Sequence, residues 1–130
     1  ARGIRPPILT DRGLEAAVAA LAARSPVPVA VTVGVPSRPS PPVETAVYFV
    51  VAEALANAIK HAQATRVDVR IWRSNTTLVA EIEDDGRGGA DVSGNGLTGM
   101  RQRVAALDGT LRVLSPSGGP TTVTAELPCE

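Results

Sequence analysis

The chain has 130 residues, with 13 basic and 13 acidic side chains and a formal charge of zero, so it lacks the basic footprint of a nucleic-acid binder. Hydrophobic residues make up 44% but aromatics only 2%, which bounds the chain to one ordinary domain whose core is built from Val, Leu, Ile and Ala. No signal peptide is visible, no apolar run looks long enough to span a bilayer, and the single Cys129 closes no internal disulfide, so a reducing, cytoplasmic setting without membrane contact is expected.

In chain order, the Pro6-Pro7 pair ends any helix arriving from the N-terminal side, which sets residues 1–9 apart from a domain over 10–130. Thr10 or Asp11 caps a helix running to about Arg24, with Leu14, Ala17, Val18 and Leu21 as its apolar stripe. Alternation through Val27, Val29, Val31 and Val33 makes Pro26 to Gly34 a strand. Pro42 suits the first turn of a long helix that follows a Pro/Ser-rich connector. Thr65 to Trp72 and Thr77 to Glu83 both alternate, and Ser74-Asn75 reads as the hairpin turn between them. A glycine-rich loop over 86–96 precedes a helix from Leu97 to Leu107, stopped by Asp108-Gly109. Leu111 to Leu114 and Thr121 to Leu127 close the chain as strands. The expected fold is α+β, a two-layer sandwich with a mixed β-sheet covered on one face by helices.

The long helix carries the chemistry. Glu53, Asn57, Lys60 and His61 interrupt an apolar run and fall on one helical face, while Val47, Val51, Leu55 and Ile59 occupy neighbouring apolar positions. Burying such groups unpaired costs on the order of 1–3 kcal/mol each, so the stripe is expected to face a ligand. Lys60 is the only lysine and His61 the only histidine. Two glycine clusters follow, Asp84-Asp85-Gly86-Arg87-Gly88-Gly89 and Gly94-Asn95-Gly96-Leu97-Thr98-Gly99-Met100. Such spacing lets backbone approach a ligand and aims N–H groups at an anion near a helix start.

Glu53 to His61 resembles the N box of the ATPase superfamily that unites gyrase, Hsp90, MutL and bacterial sensor histidine kinases. Asp84-Asp85-Gly86-Arg87-Gly88 resembles its D-x-G-x-G box, and Gly94-Asn95-Gly96-Leu97 its G-x-G-L box. Within the superfamily, Gly96 to Val104 looks like the nitrate-sensor-type histidine kinases, which read G-L-x-G-M-R-E-R, and Gly119 to Pro128 is similar to their last strand. The resemblance spans about residues 41 to 128. It departs at Pro120, where relatives carry Gly, and at Gln102, where they carry Glu.

The resemblance implies ATP and Mg²⁺ as ligands. It gives Asn57 a metal role, its amide oxygen completing an octahedral shell shared with phosphates. Glu53 then holds a metal-bound water, the matching Glu being the general base in relatives that hydrolyse ATP; an ion pair with an arginine is the structural alternative. Lys60 meets phosphate charge, and His61 packs on adenine or ribose rather than serving as the phosphorylated histidine. Asp84 accepts the adenine amino hydrogen bond, while Gly86 and Gly88 let the base lie against the backbone. Gly94 and Gly96 hinge a short lid and offer N–H groups to phosphate. Leu97 belongs to the same box, though its apolar side chain, like that of Met100, reads as core. Thr98 bonds phosphate or merely caps the helix, and Thr121 supports Asp84 through a water. Asp85 and Arg87 read as solvated, and Arg101 and Arg103 as surface or partner contacts.

The implied activity is that of the ATP-binding part of a two-component sensor histidine kinase. It passes the γ-phosphate to a histidine on a dimerisation domain outside this chain, for relay to an aspartate of a response regulator. Residues 1–9 then represent the tail of the dimerisation helix and its linker, and Ala1 in place of methionine points to a fragment, its parent free to be membrane-anchored. The alternatives are a serine kinase of the anti-sigma-factor type and a nucleotide-gated interaction module without catalysis.

Overall fold

The computed structural model describes residues 6–88 and 95–129. Its elements run α1 (Pro7–Ala23), β1 (Val29–Gly34), α2 (Pro41–Lys60), β2 (Val67–Ser74), β3 (Thr77–Asp84), α3 (Asn95–Ala105), β4 (Thr110–Leu114) and β5 (Thr121–Pro128). The five strands form one sheet in the order β1-β2-β3-β5-β4. β1 and β2 are parallel, as a crossover through α2 requires, and the other pairs are antiparallel. This is the mixed-sheet α+β sandwich expected from the sequence.

Alternation decides which side of the sheet meets the helices. Val67, Val69 and Ile71 of β2, Ala80 and Ile82 of β3, and Val123, Ala125 and Leu127 of β5 are buried in one cluster with Val47, Val50, Val51, Ala54, Leu55 and Ala58 of α2. The intervening residues form an outer face, mostly charged and threonine side chains with Trp72 and the buried Val79 among them, where Arg70 meets Glu81 at 2.9 Å and Arg112 meets Glu126 at 3.4 Å. Such exposed pairs add little stability. α2 has 20 residues and is, contrary to expectation, long and apolar enough to cross a bilayer by length and composition alone; here it is the central core helix, half of its most apolar stretch being buried.

Several boundaries differ from the sequence reading. The hairpin turn is Asn75-Thr76 rather than Ser74-Asn75, because Ser74 pairs with Thr77 and the positive φ of 56° falls on Asn75. α3 begins at Asn95, so Thr98 sits inside its first turns and is no cap. α1 begins with Pro7 in the first helical position rather than at a Thr10 or Asp11 cap, because a proline there loses only an N–H that has no helical partner.

Gly13, with φ +88°, then breaks the α1 ladder. The carbonyls of Leu9 and Thr10 would otherwise accept from residues 13 and 14. Arg38 fills the gap: its Nη2 donates to Leu9 O at 2.6 Å and Thr10 O at 2.8 Å, while Nε donates to the buried Glu44 carboxylate at 2.9 Å. One guanidinium thus ties the kink of α1 to the first turn of α2.

The division expected at residue 9 falls within α1, and Leu9 is fully buried in the core. Leu9→Ala should therefore destabilise the domain by about 3 kcal/mol, the ordinary cost of emptying a closed leucine site, as read by urea unfolding. A linker residue outside the fold would shift the midpoint hardly at all.

Candidate functional site

The polar stripe of α2 is an open face. Glu53 and Asn57 are half-buried and Lys60 and His61 exposed, while the opposite side of the helix is core. Among the described residues no hydrogen bond or ion pair engages the side chains of Glu53, Asn57, Lys60 or His61. The arginine partner weighed for Glu53 is therefore not found there. α3 lies alongside: the Arg103 guanidinium stacks 3.9 Å from the Phe49 ring centroid, and Gly99 approaches the same ring. Arg103, Ala106 and Leu107 share a cavity with Pro41, Pro42, Thr45 and Ala46, so α3 runs antiparallel to α2. Phe49, Glu53 and Asn57 succeed one another at four-residue spacing on one face. The first turn of α3, with Gly96, thus points toward the level of Glu53 and Asn57.

At the end of β3, Asp84 is buried at 6% exposure beside Thr121, its register partner on β5. Asp84 Oδ1 accepts from the Gly86 N–H at 2.8 Å. Oδ2 has no partner among the described residues, yet no buried side-chain oxygen there lacks one, so Oδ2 reaches the surface open to a donor. Burial pushes the Asp84 carboxyl above its ordinary value, the Gly86 N–H opposes this, and the charges of Asp85 and Glu83 add to it. The Thr121 hydroxyl shares a hydrogen bond of 2.6 Å with Ser115 Oγ and makes no direct one to Asp84.

The glycines after Asp84 are fixed by the protein's own backbone. A β-carbon at Gly86 would stand 2.5 Å from both Cβ and O of Ala62, just past α2. One at Gly88, where φ is +69°, would overlap the Pro116 carbonyl and lie 2.5 Å from the Gly119 nitrogen. Glycine is thus required at both positions by loop packing, whatever ligand lies beyond.

Asp85 and Arg87 are exposed but not idle, which corrects the solvated reading. The Asp85 carboxylate accepts from the Thr65 N–H at 2.8 Å, from the Arg66 N–H at 3.0 Å and from the Thr65 hydroxyl. Those bonds, the Thr65 hydroxyl first, hold its carboxyl below the ordinary value. Arg87 donates from its backbone N–H to Ala62 O at 2.9 Å and from Nε to His61 O at 3.0 Å, carbonyls left over at the end of α2. Arg101 likewise turns inward, donating to Leu111 O at 3.0 Å. Residue type gave little signal for these contacts, because β3 ends at Asp84 and most partners of Asp85 and Arg87 are backbone groups of the α2–β2 connection.

A helix with an open polar stripe, a buried aspartate beyond its end and a glycine-bearing loop in contact with it are the parts of a nucleotide-binding ATPase. The family model for histidine kinase-, DNA gyrase B-, and HSP90-like ATPases matches residues 43–130. The chain belongs to this ATPase family. It is 44% identical over 84 residues to the signal transduction histidine-protein kinase/phosphatase UhpB of Salmonella typhimurium, covering 62% of this chain and 16% of that protein. It is 41% identical over 91 residues to the oxygen sensor histidine kinase NreB of Staphylococcus carnosus, covering 66% of this chain and 26% of that one. The chain thus spans between a sixth and about a quarter of the length of these relatives. The histidine kinase domain of the Erythrobacter litoralis EL346 blue-light activated histidine kinase superposes with a TM-score of 0.64 at 26% identity, over 85% of this chain and 57% of that one. The Acinetobacter baumannii histidine kinase AdeS shares the fold, with a TM-score of 0.60 at 18% identity over 93% of this chain and 60% of its own.

Within this ATPase domain, Leu97 is buried in the core at 4% exposure, whereas Thr98 is exposed. Gly94 lies outside the described residues. Pro120 is exposed, next to Thr121.

The two neighbouring aspartates titrate in opposite senses. Because the folded carboxyl of Asp84 is raised, the cost of burying its charge is absent below the unfolded value and fully present above the folded one. Stability therefore falls as pH rises through that window. Asp84→Asn, which keeps an oxygen for the Gly86 N–H, should stabilise the nucleotide-free domain at pH 7 by about 1 kcal/mol, the size usual for relaxing a functional site. The gain should vanish as pH drops below the ordinary aspartate value, as followed by thermal melts across pH.

Proposed function

We propose that the chain is the ATP-binding catalytic domain of a two-component sensor histidine kinase. It binds Mg·ATP between α2, α3 and the ends of β3 and β5, and presents the γ-phosphate to a histidine on a dimerisation domain of the same kinase. The phosphoryl group then passes to a response-regulator aspartate. The observation that carries this reading is Asp84, a buried carboxylate whose Oδ2 has no partner among the described residues, at the end of β3 where the following loop packs on Ala62 just past the open stripe of α2. Such a group is costly to the fold and is explained by a ligand that donates to it. An exocyclic amino group donates there, whereas a guanine O6 would meet carboxylate repulsion.

The remaining residues divide the nucleotide between them. Asn57 and Glu53 offer hard oxygens, and no cluster of three or more His, Cys, Asp or Glu side chains among the described residues holds a metal alone. That donor set suits Mg²⁺, which keeps several waters and shares its shell with phosphates. When bound, the ion supplies charge neutralisation at the phosphates. Lys60 adds a cation for the phosphates, and His61 closes over the sugar or base. Gly86 and Gly88 shape the floor beneath adenine, Thr121 flanks Asp84, and Gly94, Gly96, Leu97 and Thr98 are assigned to the phosphates. Transfer relies mainly on positioning, so the domain alone should turn ATP over very slowly. The Gly96-to-Arg103 segment supports the nitrate-sensor-type branch, through its likeness to G-L-x-G-M-R-E-R.

Calorimetric titration should find Mg·ATP bound and GTP bound weakly. Asp84→Asn should weaken ATP by about 10–100-fold, matching the loss of a hydrogen bond to a charged group, and Asn57→Ala should abolish the dependence on Mg²⁺. Phosphohistidine should form when the domain is rejoined to a dimerisation domain. No binding by the wild-type domain would sink this reading in favour of an interaction module, and phosphorylation of a protein serine would favour the anti-sigma-factor type.

A further inference from the structure

Asp85 and Arg87 lie outside the nucleotide pocket, yet they make every described side-chain attachment to the connection between α2 and β2 that reaches it from the end of β3. Asp85 holds Thr65 and Arg66 by two backbone N–H groups and one hydroxyl. The Arg87 side chain holds the His61 carbonyl from Nε, while its backbone N–H holds that of Ala62. The β2–β3 ladder begins only at Val67 opposite Asp84, and Gln63, with φ +56°, turns the chain in between. We propose that Asp85 and Arg87 are positioning residues that fix the end of α2, and with it Asn57, Lys60 and His61, at a set distance from Asp84. The proposal rests on the nucleotide reading above.

The mechanical path is short. Asn57 O accepts from the N–H groups of both His61 and Ala62, at 2.9 and 3.1 Å. The Ala64 N–H donates in turn to Ala58 O at 3.1 Å, so a displacement at 61–62, held by Arg87, or at 65–66, held by Asp85, is carried back along α2 to the residue assigned to the metal and phosphates. Asp84, meanwhile, stays with the sheet. ATP contacts both ends at once, so its affinity depends on their separation; small misplacements in such constellations are expensive. The side chains at 85 and 87 thus set the span between the adenine end and the phosphate end without touching the nucleotide.

The test is a double-mutant cycle in Mg·ATP affinity, using titration calorimetry on domains shown by thermal melting to be folded. Asp85→Ala should weaken binding about 10-fold and Arg87→Ala about 3-fold, while Asp85→Asn, whose amide oxygen still accepts both N–H groups, should stay within about 2-fold of wild type. Because Asp85 acts through the placement of Asn57, Asp85→Ala should cost less than about 2-fold in an Asn57→Ala background, where coupled residues show non-additive losses. Equal losses in both backgrounds, or wild-type affinity in Asp85→Ala, would overturn the proposal. Should Asp85→Ala fail to fold, the cycle between Arg87→Ala and Asn57→Ala decides in the same way, since Arg87 is exposed and its side chain makes one bond. A wild-type domain that binds no Mg·ATP overturns the nucleotide reading and the proposal together; binding by wild type with additive losses overturns the proposal alone.

Discussion

Three stretches of backbone meet below Asp84 with no room for a β-carbon between them: Ala62 after α2, Gly86 to Gly88 after β3, and Pro116 to Gly119 before β5. The Arg87 carbonyl accepts from the Gly118 N–H at 2.7 Å, and the Arg87 N–H reaches Ala62 O. This junction joins the helical layer to the sheet at the end where both carry the candidate site residues. The positions of Asp84 and Asn57 relative to each other follow from it. Substituting either tight glycine would force main chain to move, and neither neighbour is the flexible tip of a side chain.

α2 meets two opposite demands. Its buried side must fill the space against three central strands with small and branched residues, and its open side must keep an amide, a carboxylate and a cation unspent. The fold tolerates those groups because half-exposed positions cost little desolvation, whereas the deeper Asp84 is held by a single N–H and pays in stability. The pairing of a desolvated acceptor with a half-exposed polar stripe is what separates this surface from an ordinary helix flank.

Much of this was legible in the sequence. Alternation and helical spacing located all eight elements, because core-facing periodicity follows directly from side-chain type. The order of the N box and glycine clusters pointed to the candidate site for the same reason: Asn57, Lys60 and Asp84 are conspicuous where apolar residues would otherwise stand. Less legible were contacts in which a side chain bonds distant main chain. Arg38 reaching Leu9 and Thr10, and Asp85 reaching Thr65 and Arg66, look like surface charges in the sequence, since a backbone carbonyl or N–H carries no residue signature. The start of α1 at Pro7 was hidden behind Thr10 and Asp11, which a capping rule reads as the boundary. Asp108, with φ +63°, shows the converse, since its stop before Gly109 was readable from residue type alone.

The chain has one tryptophan. Trp72 sits on the open face of β2, 37% exposed, pairing with Gly34 and Val79 on the side of the sheet turned away from the helices. Its indole is therefore screened by the sheet from anything that docks between α2 and α3. Intrinsic fluorescence makes this domain a reporter of its own sheet: emission should follow unfolding and any partner that covers the charged outer face. A spectral change on adding nucleotide would mean that the strands themselves had shifted.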